Sequence, residues 1–208
     1  MKGKFIVFEG VDHSGKTTQI DKAMKYLASK GRDALRLREP GGTDIGEKIR
    51  ELLLDKANMK MAPKAELCLF FASRAQLVHE KVLPALEAGQ DVIMDRYVYS
   101  TAAYQGAAGV KSPVGIVAFS EEWLMLPIPD LVVFLDGDPE VLGKRHRGEK
   151  DRMELKGVEY QRSVRACYHQ VFGNWPGPYR IVNAEQAMDE VAAEIRGILS
   201  MAVAGSPS

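Results

Sequence analysis

Lys4-Phe-Ile-Val-Phe-Glu-Gly-Val-Asp-His-Ser-Gly-Lys-Thr-Thr18 joins a short apolar run to a glycine-rich loop and then to a helical pattern. Residues 4–8 are apolar on both faces, as in a strand buried inside a parallel sheet. Gly10-Val11-Asp12-His13-Ser14-Gly15-Lys16-Thr17 matches G-x-x-x-x-G-K-[ST] and sits between that strand and a helix opening at Gly15. The glycines let the backbone wrap an anion, so that successive N–H groups and the helix N-terminus face phosphate oxygens. Lys16 supplies a point charge, the Thr17 hydroxyl is placed for Mg²⁺, and Thr18 continues the cradle. A chance match in an unrelated turn would lack the flanking strand and helix. The stretch therefore implies binding of a nucleoside triphosphate, without naming a reaction.

Outward from this unit the pattern alternates. Further strands are expected at 34–37, 91–94, 131–135 and 179–182. Helices are expected from Gly15 to Lys30 (ended by Gly31), from Thr43 as cap to Leu54, from Pro63 to Glu87 with a kink at Pro84, and from Ala187 to Val203. This order predicts an α/β, P-loop NTPase architecture: a doubly wound, parallel five-stranded sheet with helices on both faces. No repeat or linker divides the chain, so residues 1–208 read as one domain.

The composition narrows the partners. The 208 residues carry 28 Lys+Arg against 28 Asp+Glu, so no basic field exists to coat a nucleic acid. Cys68 and Cys167 have no paired spacing and read as buried thiols in a reducing compartment. The four histidines form no zinc motif. No apolar run approaches the roughly 18 residues of a membrane span. The expectation is a cytoplasmic protein with neither membrane nor nucleic-acid partner.

Polar residues follow the other strands, at the sheet edge where open α/β folds bind ligands. They are Arg38-Glu39-Pro-Gly-Gly, Asp95-Arg96-Tyr97 and Asp136-Gly-Asp138. Arg38 and Arg96 converging on the phosphate loop would repel unless an anion joined them, which suggests a second anionic site for a monophosphate acceptor. Phe70 and Arg74 lie one helical turn apart and suit a flat heterocycle, a ring to stack and a fork to donate. The alternative is a core Phe70 and an Arg74 that snorkels to solvent. Ser100, Tyr104 and Gln105 add groups able to read a base or sugar. Lys144 to Lys156 holds six cations and three anions, read either as a solvated loop or as a lid at 144–156 that closes arginines over the transferring group.

The ordered set resembles the thymidylate kinase family, on 8–19, Arg38-Glu-Pro-Gly-Gly-Thr43, Glu66 to Arg74, Asp95-Arg-Tyr97, Ala103-Tyr-Gln-Gly106, Pro129-Asp-Leu131 and Asp151-Arg-Met-Glu154. The resemblance covers most of the chain to about residue 170. It implies transfer of the γ-phosphoryl group of ATP to dTMP with Mg²⁺, in a homodimer packed through its long helices. Phe70 would stack on thymine and Arg74 would donate to its carbonyl. Ser100 and Gln105 would lie along the base, with Tyr104 against the deoxyribose. Arg38 and Arg96 would hold the acceptor phosphate, Asp12 would approach the sugar hydroxyl or metal-bound water, and Asp95 would organise the Mg²⁺ region. Some relatives carry a catalytic arginine in the phosphate loop where this chain has His13. The charge is therefore assigned to the lid, Arg147 first and Arg152 second, beside Lys16 and Arg96. An arginine that many relatives have soon after Tyr-Gln-Gly is also missing. The competing readings are a kinase for another nucleotide or deoxynucleoside, and a hydrolysing switch, which usually carries an N-K-x-D signature that this sequence lacks.

Overall fold

A computed structural model describes residues 2–145 and 152–204. Five strands, β1 (Phe5–Gly10), β2 (Ala34–Arg38), β3 (Asp91–Asp95), β4 (Leu131–Asp136) and β5 (Tyr179–Asn183), form one parallel sheet in the order β2-β3-β1-β4-β5. The expected doubly wound sheet is therefore observed. β1 is central and buried throughout, which is why its sequence is apolar on both faces. The edge strands β2 and β5 are partly exposed and carry Arg36, Arg38 and Arg180 among their apolar residues.

Register brings the chemistry to one edge. Phe8 and Arg38 both pair with Asp95, Gly10 pairs with Leu135, and Asp136 with Asn183. The residues that leave β1, β2 and β3 thus emerge side by side.

Helices cover the sheet. α1 (Lys16–Ser29) buries Ile20, Ala23 and Leu27, and Gly31 turns the chain at φ 71°. α2 (Asp44–Leu54) is capped as expected, with Thr43 Oγ1 accepting from the Gly46 N–H at 2.9 Å. The helix expected from Pro63 to Glu87 is three pieces: α3 (Pro63–Leu77), a π-helical stretch (Val78–Val82) and α4 (Leu83–Glu87). Pro84 lacks an N–H, and the wider turn just before it shifts the hydrogen-bond ladder. α5 (Val98–Ala107), α6 (Pro113–Leu124), α7 (Pro139–Gly143), α8 (Val158–Asn174) and α9 (Met188–Ala204) complete the fold. α5 is buried from Val98 to Gln105 and so has no polar face for periodicity to reveal. Among the described residues no helix is long and apolar enough to cross a membrane.

Cys167 is buried, but Cys68 is exposed on α3. This corrects the expectation of two buried thiols: it lies beside an apolar groove between α3 and α6 instead of under the sheet.

Candidate active site

The phosphate loop joins β1 to α1. Gly10 adopts φ 151°, and a Cβ there would lie 2.5 Å from the Leu135 carbonyl oxygen. Gly15, at φ 85°, ends the loop at the N-cap of α1, and no side chain caps that helix. Its first N–H groups are left for an anion. Lys16 Nζ donates to the carbonyls of Gly10 and Val11 at 2.9 and 2.8 Å and to Ser14 Oγ at 3.2 Å. Burial and the neighbouring Arg96 push its ammonium down to about 8, against the pull of Asp95, Asp12 and Glu9. His13 adopts φ 62°, and its Nε2 lies 3.3 Å from Glu154 Oε1. A cavity of about 780 Å³ runs from residues 12–19 toward Arg145 and residues 184–188.

At the mouth of the loop Arg96 adopts φ 70°, a strained conformation for a non-glycine residue and one that marks functional sites. Its guanidinium donates to the Gly10 carbonyl at 3.0 Å and to Asp12 Oδ1 at 2.6 Å, over the Tyr104 ring. Asp12 also accepts from the Tyr104 hydroxyl at 2.8 Å and from Gln161 Nε2 at 2.6 Å. Burial works to raise the Asp12 carboxyl, but Arg96 and Lys16 outweigh it and hold the group below the usual range.

A second cavity, of about 290 Å³, opens toward α3 and α5 and shares Asp12, Thr17, Asp95 and Arg96 with the first. Half-buried Phe70 and buried Arg74 line it. Arg74 does not snorkel: it is 1% exposed, pairs with Glu39 and donates to Thr101 Oγ1 at 2.7 Å. Its Nη1 is buried without a hydrogen-bond partner, as is Oε1 of Gln105. Burial pushes the Glu39 carboxyl up to about 7, although Arg74 opposes the shift. Arg38 also lines this cavity, where its Nη2 already donates to both carboxylate oxygens of Glu47, at 3.0 and 2.9 Å. Arg50 lines it as well, a residue that the sequence reading did not single out.

Two expected residues sit differently. The Ser100 hydroxyl is turned to Glu9 Oε2 at 2.5 Å, so it braces the cavity wall. Arg152 is 3% exposed, donates from Nε to the Leu53 carbonyl at 2.7 Å, and pairs with Glu66 Oε2 at 2.5 Å. This arrangement does not bring Arg152 to the phosphate loop: a buried carboxylate claims the guanidinium, and Arg152 lines neither cavity. Arg147, with the lid segment 146–151, lies outside the described residues.

Glu9 was missed altogether. It is fully buried and accepts the N–H groups of Tyr97 (2.8 Å) and Ser100 (3.1 Å) and the hydroxyls of Ser100 and Tyr168. α5 has no side-chain cap of its own, so a carboxylate from β1 does that work and pins Ser100, Tyr104 and Gln105 over the cleft. An acid inside an otherwise apolar strand was the available signal, since a buried carboxylate requires partners.

Thr17 and Asp95 meet where the two cavities join. A hydroxyl and a carboxylate suit Mg²⁺, which takes one or two protein oxygens and completes its shell with water and phosphate. Among the described residues no group of three or more His, Cys, Asp or Glu is gathered to hold a metal by itself.

The sequence model of the family described as thymidylate kinase matches residues 8–195. A protein of Thermoanaerobacter sp. (strain X514) named thymidylate kinase is 41% identical over 196 residues, covering 94% of this chain and 96% of its own length. The protein of that name from Caldanaerobacter subterraneus subsp. tengcongensis is 43% identical over 187 residues, 89% of each chain. The one from Bacillus licheniformis is 38% identical over 210 residues, 98% of each.

Proposed function

The chain belongs to the thymidylate kinase family, and from that premise we propose that it transfers the γ-phosphoryl group of ATP to the phosphate of dTMP, giving dTDP and ADP. The observation that carries this reading is the pair of cavities meeting at Asp12, Thr17, Asp95 and Arg96: one is built on a phosphate loop and the other on a ring and a buried guanidinium. ATP lies along the first with its phosphates on residues 10–18. dTMP lies in the second with its base between Phe70, Arg74 and Gln105 and its sugar against Tyr104. Arg38, with Arg96, receives the acceptor phosphate, and exchanges part of its pairing with Glu47 for it.

The acceptor is already an oxyanion, so the reaction needs alignment and charge stabilisation more than a base. Lys16 draws charge off the donor phosphates, and Arg96 lies between the two nucleotides. Asp12 holds Arg96 in place and approaches the sugar hydroxyl. Thr17 and Asp95 would hold Mg²⁺, which supplies neutralisation of the phosphate charge when bound. With a histidine at position 13, Arg147 is the lid cation assigned to the transferring group. The buried pairing of Arg152 argues for a lesser role than the sequence suggested.

The protein acts in this reading as a cytoplasmic homodimer. The groove between α3 and α6, with Phe119 and Trp123 exposed beside it, supports pairing through those helices. The test is ADP release from ATP and Mg²⁺ with a panel of monophosphates and nucleosides, with product chromatography. ADP release that depends on dTMP and yields dTDP is expected. Release without an acceptor, or stronger release with a nucleoside, overturns the reading.

A further inference from the structure

Gln105 is fully buried, and an amide can present either its oxygen or its nitrogen to a ligand. Here the choice is made by a residue outside the cavity. Glu66, 3% exposed on α3, accepts from Gln105 Nε2 at 2.9 Å through Oε1. A carboxylate paired with cations is an acceptor only, so the amide nitrogen must face it. Gln105 Oε1 is left buried and unpartnered in a residue that lines the base cavity. The same carboxylate holds Arg152 at 2.5 Å and Lys156 at 3.7 Å, both from the C-terminal part of the expected lid, 144–156. Glu66 lines neither cavity.

We infer that Glu66 is a specificity-determining positioning residue: by fixing the Gln105 amide it makes the cavity accept bases that present a ring N–H beside a carbonyl, and reject those with a bare ring nitrogen beside an amino group. This rests on the proposed acceptor site. Arg74 Nη1 supplies the donor for the carbonyl and Gln105 Oε1 the acceptor for the N–H. A cytosine-type edge meets an acceptor with an acceptor and a donor with a donor. Because Glu66 also grips Arg152 and Lys156, residues 152–156 and the base-reading amide are held by one group.

Glu66→Gln tests this sharply. The introduced side chain has one oxygen, and the charged Arg152 takes it, since charge-assisted hydrogen bonds are about twice as strong as neutral ones. The new nitrogen then faces Gln105, whose amide must turn over and present Nε2 to the cavity. The expected result is a fall of about 10- to 100-fold in the kcat/KM ratio of dTMP to dCMP. Combining Glu66→Gln with Gln105→Ala should move the ratio no further than Gln105→Ala alone. A proportional loss on both substrates, with the ratio unchanged, would show that Glu66 only supports the fold and would overturn the inference. Wild-type protein that releases no ADP in response to dTMP would instead sink the proposed function. Should the variant not fold, the wild type decides: the Gln105 side-chain amide protons should be protected from exchange and stay so when dTMP is added. Rapid exchange, or loss of protection on binding, overturns the assignment.

Discussion

Two arginines of the acceptor cavity look alike in the sequence and differ in what surrounds them. Arg74 is buried against Glu39, whereas Arg38 meets Glu47 at the surface. Removing one partner of a buried pair leaves an uncompensated charge and costs about 3–5 kcal/mol, while an exposed pair contributes at most about 1 kcal/mol. Arg74→Met should therefore lower unfolding stability by several kcal/mol and raise the KM for dTMP. Arg38→Met should raise KM with almost no loss of stability. Urea titration of both variants checks this, and equal stability losses would contradict it. Lys16 offers a pH test. Its ammonium titrates near 8 in the free protein, and a polyphosphate in the loop must raise that value by favouring the charged form. ATP binding then takes up a proton above pH 8, and affinity declines as pH rises, because the free protein has lost a proton that the complex keeps. The ATP dissociation constant should weaken roughly 25-fold between pH 7.5 and 9.5. Calorimetry at pH 9 in two buffers of different ionisation enthalpy should show uptake of about one proton. A flat profile would mean that the loop does not rely on a depressed Lys16.

Among elements, α5 gives the acceptor wall more residues than any other, Ser100, Thr101, Tyr104 and Gln105, and owes its position to β1. Burial raises the Glu9 carboxyl above its usual range, a shift that its partners, Ser100 and Arg96 foremost, only partly reverse. Glu9→Leu would strand two backbone N–H groups, each unsatisfied group costing about 1–3 kcal/mol, and would take an acceptor from the Ser100 and Tyr168 hydroxyls, which keep each other at 2.7 Å. Glu9→Gln is milder, since its oxygen can keep the two amides while the Ser100 and Tyr168 hydroxyls rotate to accept. The expected order of stability is wild type, Glu9→Gln, Glu9→Leu, with faster amide exchange at Tyr97 and Ser100 in the variants. Unchanged exchange at Ser100 would remove Glu9 as the cap of α5. This helix also shows where sequence reading stops. The five strands and the phosphate loop were legible because apolar runs and glycines act locally. α5 was not, because burial on all sides erases its periodicity. The strand-end residues Arg38, Asp95 and Arg96 were found from their position alone. The bonds that join Arg38 to Glu47, Asp12 to Gln161 and Tyr168 to Glu9 span 9, 149 and 159 residues, contacts that no local pattern encodes.

For the whole molecule, the exposed aromatic surface needs an occupant. Phe119 stacks on Phe71 at 5.6 Å and on Trp123 at 5.5 Å, yet Trp123 remains 66% exposed beside a groove lined by Leu67, Cys68 and Leu124. Apolar patches of this kind mark interaction sites, and a two-fold pairing of identical chains buries the same patch on both copies. α3 carries Phe70 and Arg74 on the side that lines the acceptor cavity and Leu67, Cys68 and Phe71 along the groove, so pairing through the groove would also stiffen the base site. Sedimentation equilibrium should give twice the 23.0 kDa chain mass at micromolar concentration, and Trp123→Glu should return it to one chain. Cys68 reports the same event chemically. In the wild type its thiol should react slowly with a disulfide reagent, and in Trp123→Glu quickly, while buried Cys167 serves as the internal control in both. A wild type that sediments as one chain with a fast-reacting Cys68 would show that the groove faces solvent and that the acceptor site stands without a second copy.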